Sequence, residues 1–489
     1  MVNETNRVSP IHRFGSDFFR YLPSKAIPGL IGLLAIPIIT RLFKPEDYGN
    51  YVLVMAGVGV LSIILGSMWG DAAVRFFRIY ERENKLGSFY STMIKGTIAC
   101  VMGLAIICFG ILQIFRNIIS LELYHLISIG ILLYILSSMF NVFLSLLNAK
   151  QKATIYSLFS IWKGSAGLAF GVIMVLFLKR DVEGLLWGSI VSLVVVFPFL
   201  YRANFGGAPP KGTFSKFIAI EMVKYSSPLI ISGLAGWILN LSDRYLLGLY
   251  RGTYEVGLYS ASYVVADQSF TMISSPFMMV SYPLVVRMWE SHGKNATEEL
   301  VGILTRYYLL LGIPAAIGIS VLSRRIVEVF TAPPYYEGYR IIPLVAFSAF
   351  LLGLQWLPQA GLTLYKRTSI LMYSILSASL LNIGLNFLLV PKYGYLAAAT
   401  TTLISYAFLL LVIIIITRGF FVWRFPFKSM AKMTCSAGIM GVVVYLIGNN
   451  LTSSPLTNLI LGICSGIVVY FGMLSLLKET GWRDQLGKR

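Results

Sequence analysis

Three lysines stand where lysine is expensive. Lys25, Lys95 and Lys163 fall inside long apolar blocks, and a cation at the centre of a membrane helix costs about 2.5 to 3.5 kcal/mol on insertion scales. An ammonium so placed either binds an anion, such as a phosphate, in a polar cavity, or turns along its own stem to the lipid headgroups. Each lies seven or eight residues into its block, roughly 10 to 12 Å deep by helical rise. A ring of cations lining one vestibule is the expected arrangement if they act together.

Arg20, Arg75, Arg244 and Arg306 fall near the ends of such blocks, where a guanidinium suits bidentate phosphate binding. Asp71 precedes Arg75 by four residues, the spacing of a salt bridge on a helix surface. Asp243 beside Arg244 reads as a pair that faces the cavity or gates its mouth. Asp267, next to Gln268 and about ten residues into its block, is either a carrier of protons through a transport cycle or a paired structural acid between helices. Pro23, Pro28 and Pro37 each remove a backbone donor from the first apolar block, so that helix should bend, either as a gate at Pro28 and Pro37 or as a static kink. Asn382 and Asn386, four apart, read as glue between helices, and Gln355, Trp356 and Gln359 as candidates for sugar contact.

Metal chemistry is not indicated: Cys100, Cys108, Cys435 and Cys464 show no CxxC pairing and the three histidines are scattered. No cofactor is expected, and the driving gradient is left between protons and sodium.

The elements that must position these residues follow from composition. The 489 residues are 57% hydrophobic and 12% charged, with a mean hydropathy of +0.75, whereas a soluble surface needs roughly a quarter charged residues. The apolar residues come in blocks of about twenty, enough for a helix to cross a hydrocarbon core. Continuous blocks lack the alternation of a barrel. The expected fold is an all-α integral membrane protein of about fourteen transmembrane helices.

Spans are read near 17–40, 51–70, 88–115, 124–147, 155–178 and 184–201, then 225–249, 257–286, 301–322, 340–363, 369–389 and 394–417, with a final pair near 433–447 and 455–476. The polar start and the absence of a small-residue cleavage site speak against a removable signal peptide. The net charge of +19 sits in short loops rather than in a nucleic-acid footprint. With both termini in the cytoplasm, 25 Lys and Arg lie inside, 11 outside and four within spans, which favours that orientation.

The halves echo one another. Arg20-Tyr21 followed by Gly49-Asn50-Tyr51 matches Lys224-Tyr225 followed by Gly257-Leu258-Tyr259, and Lys150-Gln151-Lys152 pairs with Tyr365-Lys366-Arg367. Residues 1–201 are read as an N-terminal lobe of helices 1–6 and 202–224 as a cytoplasmic linker. A C-terminal lobe of helices 7–12 follows over 225–417, then two extra helices and a tail over 418–489. An even number of spans per lobe makes the repeat parallel, with a transport site expected between the lobes.

The run from Pro37 through Thr40-Arg41-Leu42-Phe43-Lys44-Pro45-Glu46-Asp47-Tyr48-Gly49 resembles the first-span signature of the polysaccharide transporters. These are the lipid-linked oligosaccharide flippases of the multidrug/oligosaccharidyl-lipid/polysaccharide exporter superfamily. Asp243-Arg244-Tyr245 with Val256-Gly257-Leu258-Tyr259-Ser260, and Asn386 through Pro391-Lys392-Tyr393-Gly394-Tyr395 into Ala397-Ala398-Ala399, point the same way. The resemblance implies alternating access in a bacterial or archaeal cytoplasmic membrane, moving an undecaprenyl-diphosphate-linked glycan to the outer leaflet for O-antigen, exopolysaccharide or capsule synthesis. The implied partners are that lipid-linked glycan, membrane lipids and a polysaccharide polymerase or other assembly proteins, with no nucleic acid.

Physics agrees with the demand. Each bare hydroxyl taken into hydrocarbon costs about 4 to 8 kcal/mol by cyclohexane transfer, so a glycan needs a polar, cationic cavity. A multidrug cation antiporter of the same superfamily would favour buried carboxylates, and the lysines favour an anionic cargo. A lipid II flippase shares the plan. A membrane polymerase or glycosyltransferase needs an acid/base constellation that this chain does not display, so no enzyme is expected.

Overall fold

The computed structural model describes residues 29–178, 181–207, 211–450 and 454–479. Arg20, Lys25, Pro23 and Pro28 lie outside them. The regular elements among the described residues are helical. In order they are α1 (Gly29–Leu42), α2 (Pro45–Leu61), a π segment (Ser62–Gly66), α3 (Ser67–Arg82), α4 (Leu86–Ile114), α5 (Leu121–Ala149), α6 (Ala153–Phe177), α7 (Glu183–Phe205) and α8 (Lys216–Arg251). There follow α9 (Thr253–Val321), α10 (Ser323–Phe330), a 3-10 segment (Pro333–Ile341), α11 (Ile342–Leu364), α12 (Thr368–Thr417), α13 (Phe427–Asn450) and α14 (Pro455–Leu476). Among the described residues, eleven helical stretches are long and apolar enough to cross a membrane, so this is an all-α, multi-pass membrane protein.

Local sequence explains where the helices start and stop. Ser120 caps α5 by accepting from the Leu123 amide at 3.3 Å, and Ser215 caps α8 through the Ile218 amide at 3.4 Å. Glu122 and Glu183 place negative charge in the first turns of α5 and α7. Two long helices are interrupted by glycine in backbone conformations other residues avoid: Gly293 in α9 (φ 74°) and Gly394 in α12 (φ 59°).

Three stretches expected as loops are helical. Residues 71–82 continue α3, 216–224 open α8, and 287–300 belong to α9 apart from the break at Gly293. Their charged residues mark where a helix leaves the hydrocarbon, which is not where it ends.

The chain divides into two compact units, Pro45–Gly257 and Met1–Lys44 with Leu258–Arg489. These limits differ from the lobe limits read from the sequence, because α8 packs against α3, α2 and α4 of the first unit. In that unit α6 lies along α7, and α5 touches α2, α3, α4 and α7. At the α6–α7 crossing Gly188 lies against the Gly171 backbone, where neither helix carries a side chain.

In the second unit α1 runs through Pro37 without ending. Gly29 and Gly32 bring it against Met272 and Gln268 of α9. Tyr335 in the 3-10 segment hydrogen-bonds the Phe43 carbonyl at its far end. The pair α13 and α14 packs together, with α14 on α10.

Gln151, between α5 and α6, and Lys366, between α11 and α12, are left-handed at φ 59° and φ 57°, as are Asn84 past α3 and Lys478 past α14, each two residues beyond the end of a helix.

Candidate functional site

In the Pro45–Gly257 unit α5 packs against α3 and α6, and all three helices carry polar side chains there. On α5, Asn141, Ser145 and Asn148 follow one another at helical spacing, half-buried to exposed. From α6 the half-buried Lys163 donates to Asn141 Oδ1 at 3.2 Å, its ammonium 5.3 Å from the Phe140 ring centre. From α3, Gly70 abuts the Ser145 hydroxyl, and the next turn exposes Asp71, Arg75 and Arg78. Arg78 pairs with Glu81. Asp71 and Arg75 share the exposed face with no ion pair between them. A fixed amide and a lysine with two donors to spare make a surface suited to a phosphate.

Lys95 and Lys163 meet different surroundings. Lys95 is exposed on α4, on the face that also exposes Ile98, Met102 and Ile106, the setting in which a lysine stem runs along lipid.

Asp243 and Arg244 of α8 are brought together and buried. Asp243 Oδ1 accepts from the Arg244 backbone amide at 2.8 Å and from its Nη1 at 3.0 Å, and Nη1 also donates to the Asn240 carbonyl at 2.8 Å. A buried pair satisfied in this way is a fixed structural element of α8.

In the other unit, Asp267 is half-buried on α9, beside the Gln268 that meets Gly29 and Gly32. Asn386 donates to Asn382 Oδ1 at 3.0 Å and accepts from Thr401 Oγ1 at 2.5 Å, joining the two arms of α12 on either side of Gly394. Gln355 and Gln359 bond each other, and Trp356 sits edge-on to Tyr282. Arg306 is bound to Glu479, which also holds Lys432. Beside this lies an apolar cavity of about 600 Å³, lined by Leu310, Pro314 and Leu322 of α9 and its end, Met440 of α13, and Gly462 and Tyr470 of α14.

Two features escape a reading by spacing. Lys150, just past α5, donates to the Asn204 carbonyl at the end of α7 and lies 5.0 to 6.0 Å from the rings of Tyr90, Phe205 and Phe77. Its pKa is brought down to about 8, mainly by burial and then by the neighbouring Lys152, with Glu81 opposing. Glu479 gave no signal in the sequence, lying past the last span.

Comparison with known proteins gives these features a family. The profile of the family described as "Polysaccharide biosynthesis protein" matches residues 15–289, and the MatE profile matches 228–388. The chain is 22% identical over 310 residues to the probable low-salt glycan biosynthesis flippase Agl15 of Haloferax volcanii, covering 62% of this chain and 64% of that protein. It is 24% identical over 327 residues to the succinoglycan biosynthesis transport protein ExoT of Rhizobium meliloti, covering 66% and 64%. Both matches thus span less than two thirds of the relative's length. The fold is that of the lipid II flippase MurJ in its inward closed conformation, with a TM-score of 0.75 at 18% identity over 97% of this chain and 99% of that one. A match over more than half its length places the chain in the polysaccharide biosynthesis protein family of the multidrug/oligosaccharidyl-lipid/polysaccharide exporter superfamily, among transporters and flippases.

Proposed function

We propose that the protein is a flippase that carries a polyprenyl-diphosphate-linked oligosaccharide from the cytoplasmic to the outer leaflet of the cytoplasmic membrane by alternating access. The observation that carries this reading is Lys163, a cation held within a membrane span by Asn141. Such a pair meets a diphosphate and sugar hydroxyls with donors. The apolar cavity beside α13 and α14 suits a polyprenyl tail, which needs no polar partner. The names of Agl15 and ExoT support a glycan cargo.

The same reading takes the chain as fourteen spans with both termini in the cytoplasm, counting α9 and α12 as two spans each and α1 as the visible part of the first. It keeps two six-helix lobes, 1–201 and 225–417, joined by 202–224, with the last two helices added. Asp267 is the candidate proton carrier, and a polymerase the candidate partner.

Depleting the protein in its host and measuring polyprenyl-diphosphate glycans by mass spectrometry, with a leaflet-specific probe, tests this directly. One complete glycan should accumulate on the cytoplasmic side. Accumulation of lipid II instead would assign the cargo of the lipid II flippases, and unchanged pools with altered drug efflux would assign an antiporter. Lys163→Gln should slow flipping about tenfold, the loss of one charged hydrogen bond.

A further inference from the structure

One end of the Leu258–Arg489 unit carries cations that no nearby acid balances. From residue 338 to residue 478 the sequence contains no Asp or Glu. In that stretch Lys366, Arg367, Arg418, Arg424 and Lys428 are exposed and Lys432 is half-buried.

The fold gathers these six. Residues 418–426, which join α12 to α13, are held down on α9: the buried Glu298 accepts from the Val422 amide at 2.8 Å, and the Trp423 indole donates to Thr305 Oγ1 at 2.8 Å. A Cβ on Gly302 would come within 2.9 Å of the Arg424 carbonyl oxygen, so the loop lies on bare backbone there. From the turn between α11 and α12, the Arg367 guanidinium stands 4.4 Å from the Phe420 ring centre. Turn and loop therefore present their cations together.

The carboxylates in reach are engaged or offset. Glu298 holds Val422 with Lys294 at 3.8 Å, and the buried Glu479 holds Arg306 and Lys432. Around Gly293 of α9, the exposed Arg287 and Lys294 offset the exposed Glu290 and Glu299. Among the cations stand apolar side chains open to the surroundings: Phe427 is 69% exposed and Val422 50%. Trp423, Phe425 and Phe427 pack ring against ring, with centres 4.8 and 4.7 Å apart.

The helices on either side say what covers this surface. α12 and α13 are both long and apolar enough to cross a membrane, so the loop between them lies where hydrocarbon meets headgroups. Aromatic rings favour that depth, and cations clustered beside a span favour anionic lipid over neutral lipid. We infer that the α12–α13 loop, with the α11–α12 turn, is a binding surface for anionic phospholipid. Arg418, Arg424 and Lys428 meet the headgroup phosphate, and Phe427 and Val422 lie against the upper acyl chains. The contacts through Glu298 and Thr305 hold the loop in place beforehand, so binding orders little. This surface is distinct from that of Lys163, which belongs to the other unit.

The test uses the full-length protein in phosphatidylcholine vesicles containing a trace of phosphatidylglycerol with a diazirine beside its headgroup. After irradiation, peptides covering residues 418–432 should carry at least fivefold more label than when the diazirine is on phosphatidylcholine. The triple variant Arg418→Gln, Arg424→Gln, Lys428→Gln should lose about fivefold or more of this label, since one cation near an anionic surface is worth roughly that factor. Arg324→Gln, Arg340→Gln, Lys392→Gln removes the same charge from exposed positions elsewhere in the unit and should leave the labelling unchanged. Exchanging chloride for inorganic phosphate at equal ionic strength should also leave it unchanged. Equal labelling by the two lipids, an equal loss in the control triple, or displacement by inorganic phosphate would each overturn the inference. Should the first triple variant fail to fold, the comparison of the two lipids on the unaltered protein still decides.

Discussion

Tyr335 donates its hydroxyl hydrogen to the carbonyl oxygen of Phe43 at 3.1 Å, with both residues buried. The bond fixes the last turn of α1 to the 3-10 segment, which Gly338 also seats closely on Leu258 and Ser262. Removing the hydroxyl with Tyr335→Phe should cost about 1 kcal/mol, visible as a lower melting temperature in detergent. Identical melting of the two proteins would mean that water or lipid replaces the bond.

Glycine positions offer a paired contrast. Gly188→Ala places a methyl on the Gly171 backbone and should destabilise strongly, by about 3 kcal/mol or more, since neither backbone can yield. Gly164 on the same α6 faces open space. Gly164→Ala should be neutral or gain up to about 1 kcal/mol from helix propensity, and equal losses at both sites would refute the packing argument.

Lys150 makes stability depend on pH in a definite direction. Its folded pKa of about 8 lies below the ordinary 10.5, so between these values the unfolded chain binds more protons than the folded one. Stability then rises with pH across that window. Thermal melts of wild type and Lys150→Met at pH 7, 8.5 and 10 should show wild type gaining on the variant as pH climbs. A constant difference would place the amine in water.

The Asn382–Asn386–Thr401 chain is a hydrogen-bond network inside a membrane helix pair. Asn386→Leu should destabilise by about 0.6 to 1.7 kcal/mol, the range for such bonds in membranes, and Thr401→Val should add little once Asn386 is gone. Fully additive losses in the double variant would show that the three do not act together.

Much of this architecture was legible from the residues. Apolar block length located the helices, and the final span over 455–476 was read with the bounds it has as α14. The charged stretches 71–82, 216–224 and 287–300 misled, because charge reports exit from lipid and says nothing about helix continuity. At the candidate site, Lys163 was singled out by its cost in hydrocarbon, but its partner Asn141 was not, since a neutral amide in a span has no distinctive cost. Lys95 and Lys163 looked equivalent by depth alone. Depth does not fix which side of a helix a residue occupies, and the exposed Ile98, Met102 and Ile106 beside Lys95 supply that second coordinate.

Gln151 and Lys366 show what the end of a helix asks of the residue that follows it. Both take a left-handed step with a residue that is not glycine, and so do Asn84 past α3 and Lys478 past α14. Amides and cations have no side-chain chemistry in common, so the conformation is dictated by the helix that stops two residues earlier. Each of these four ends is held at a steric cost that a glycine would relieve.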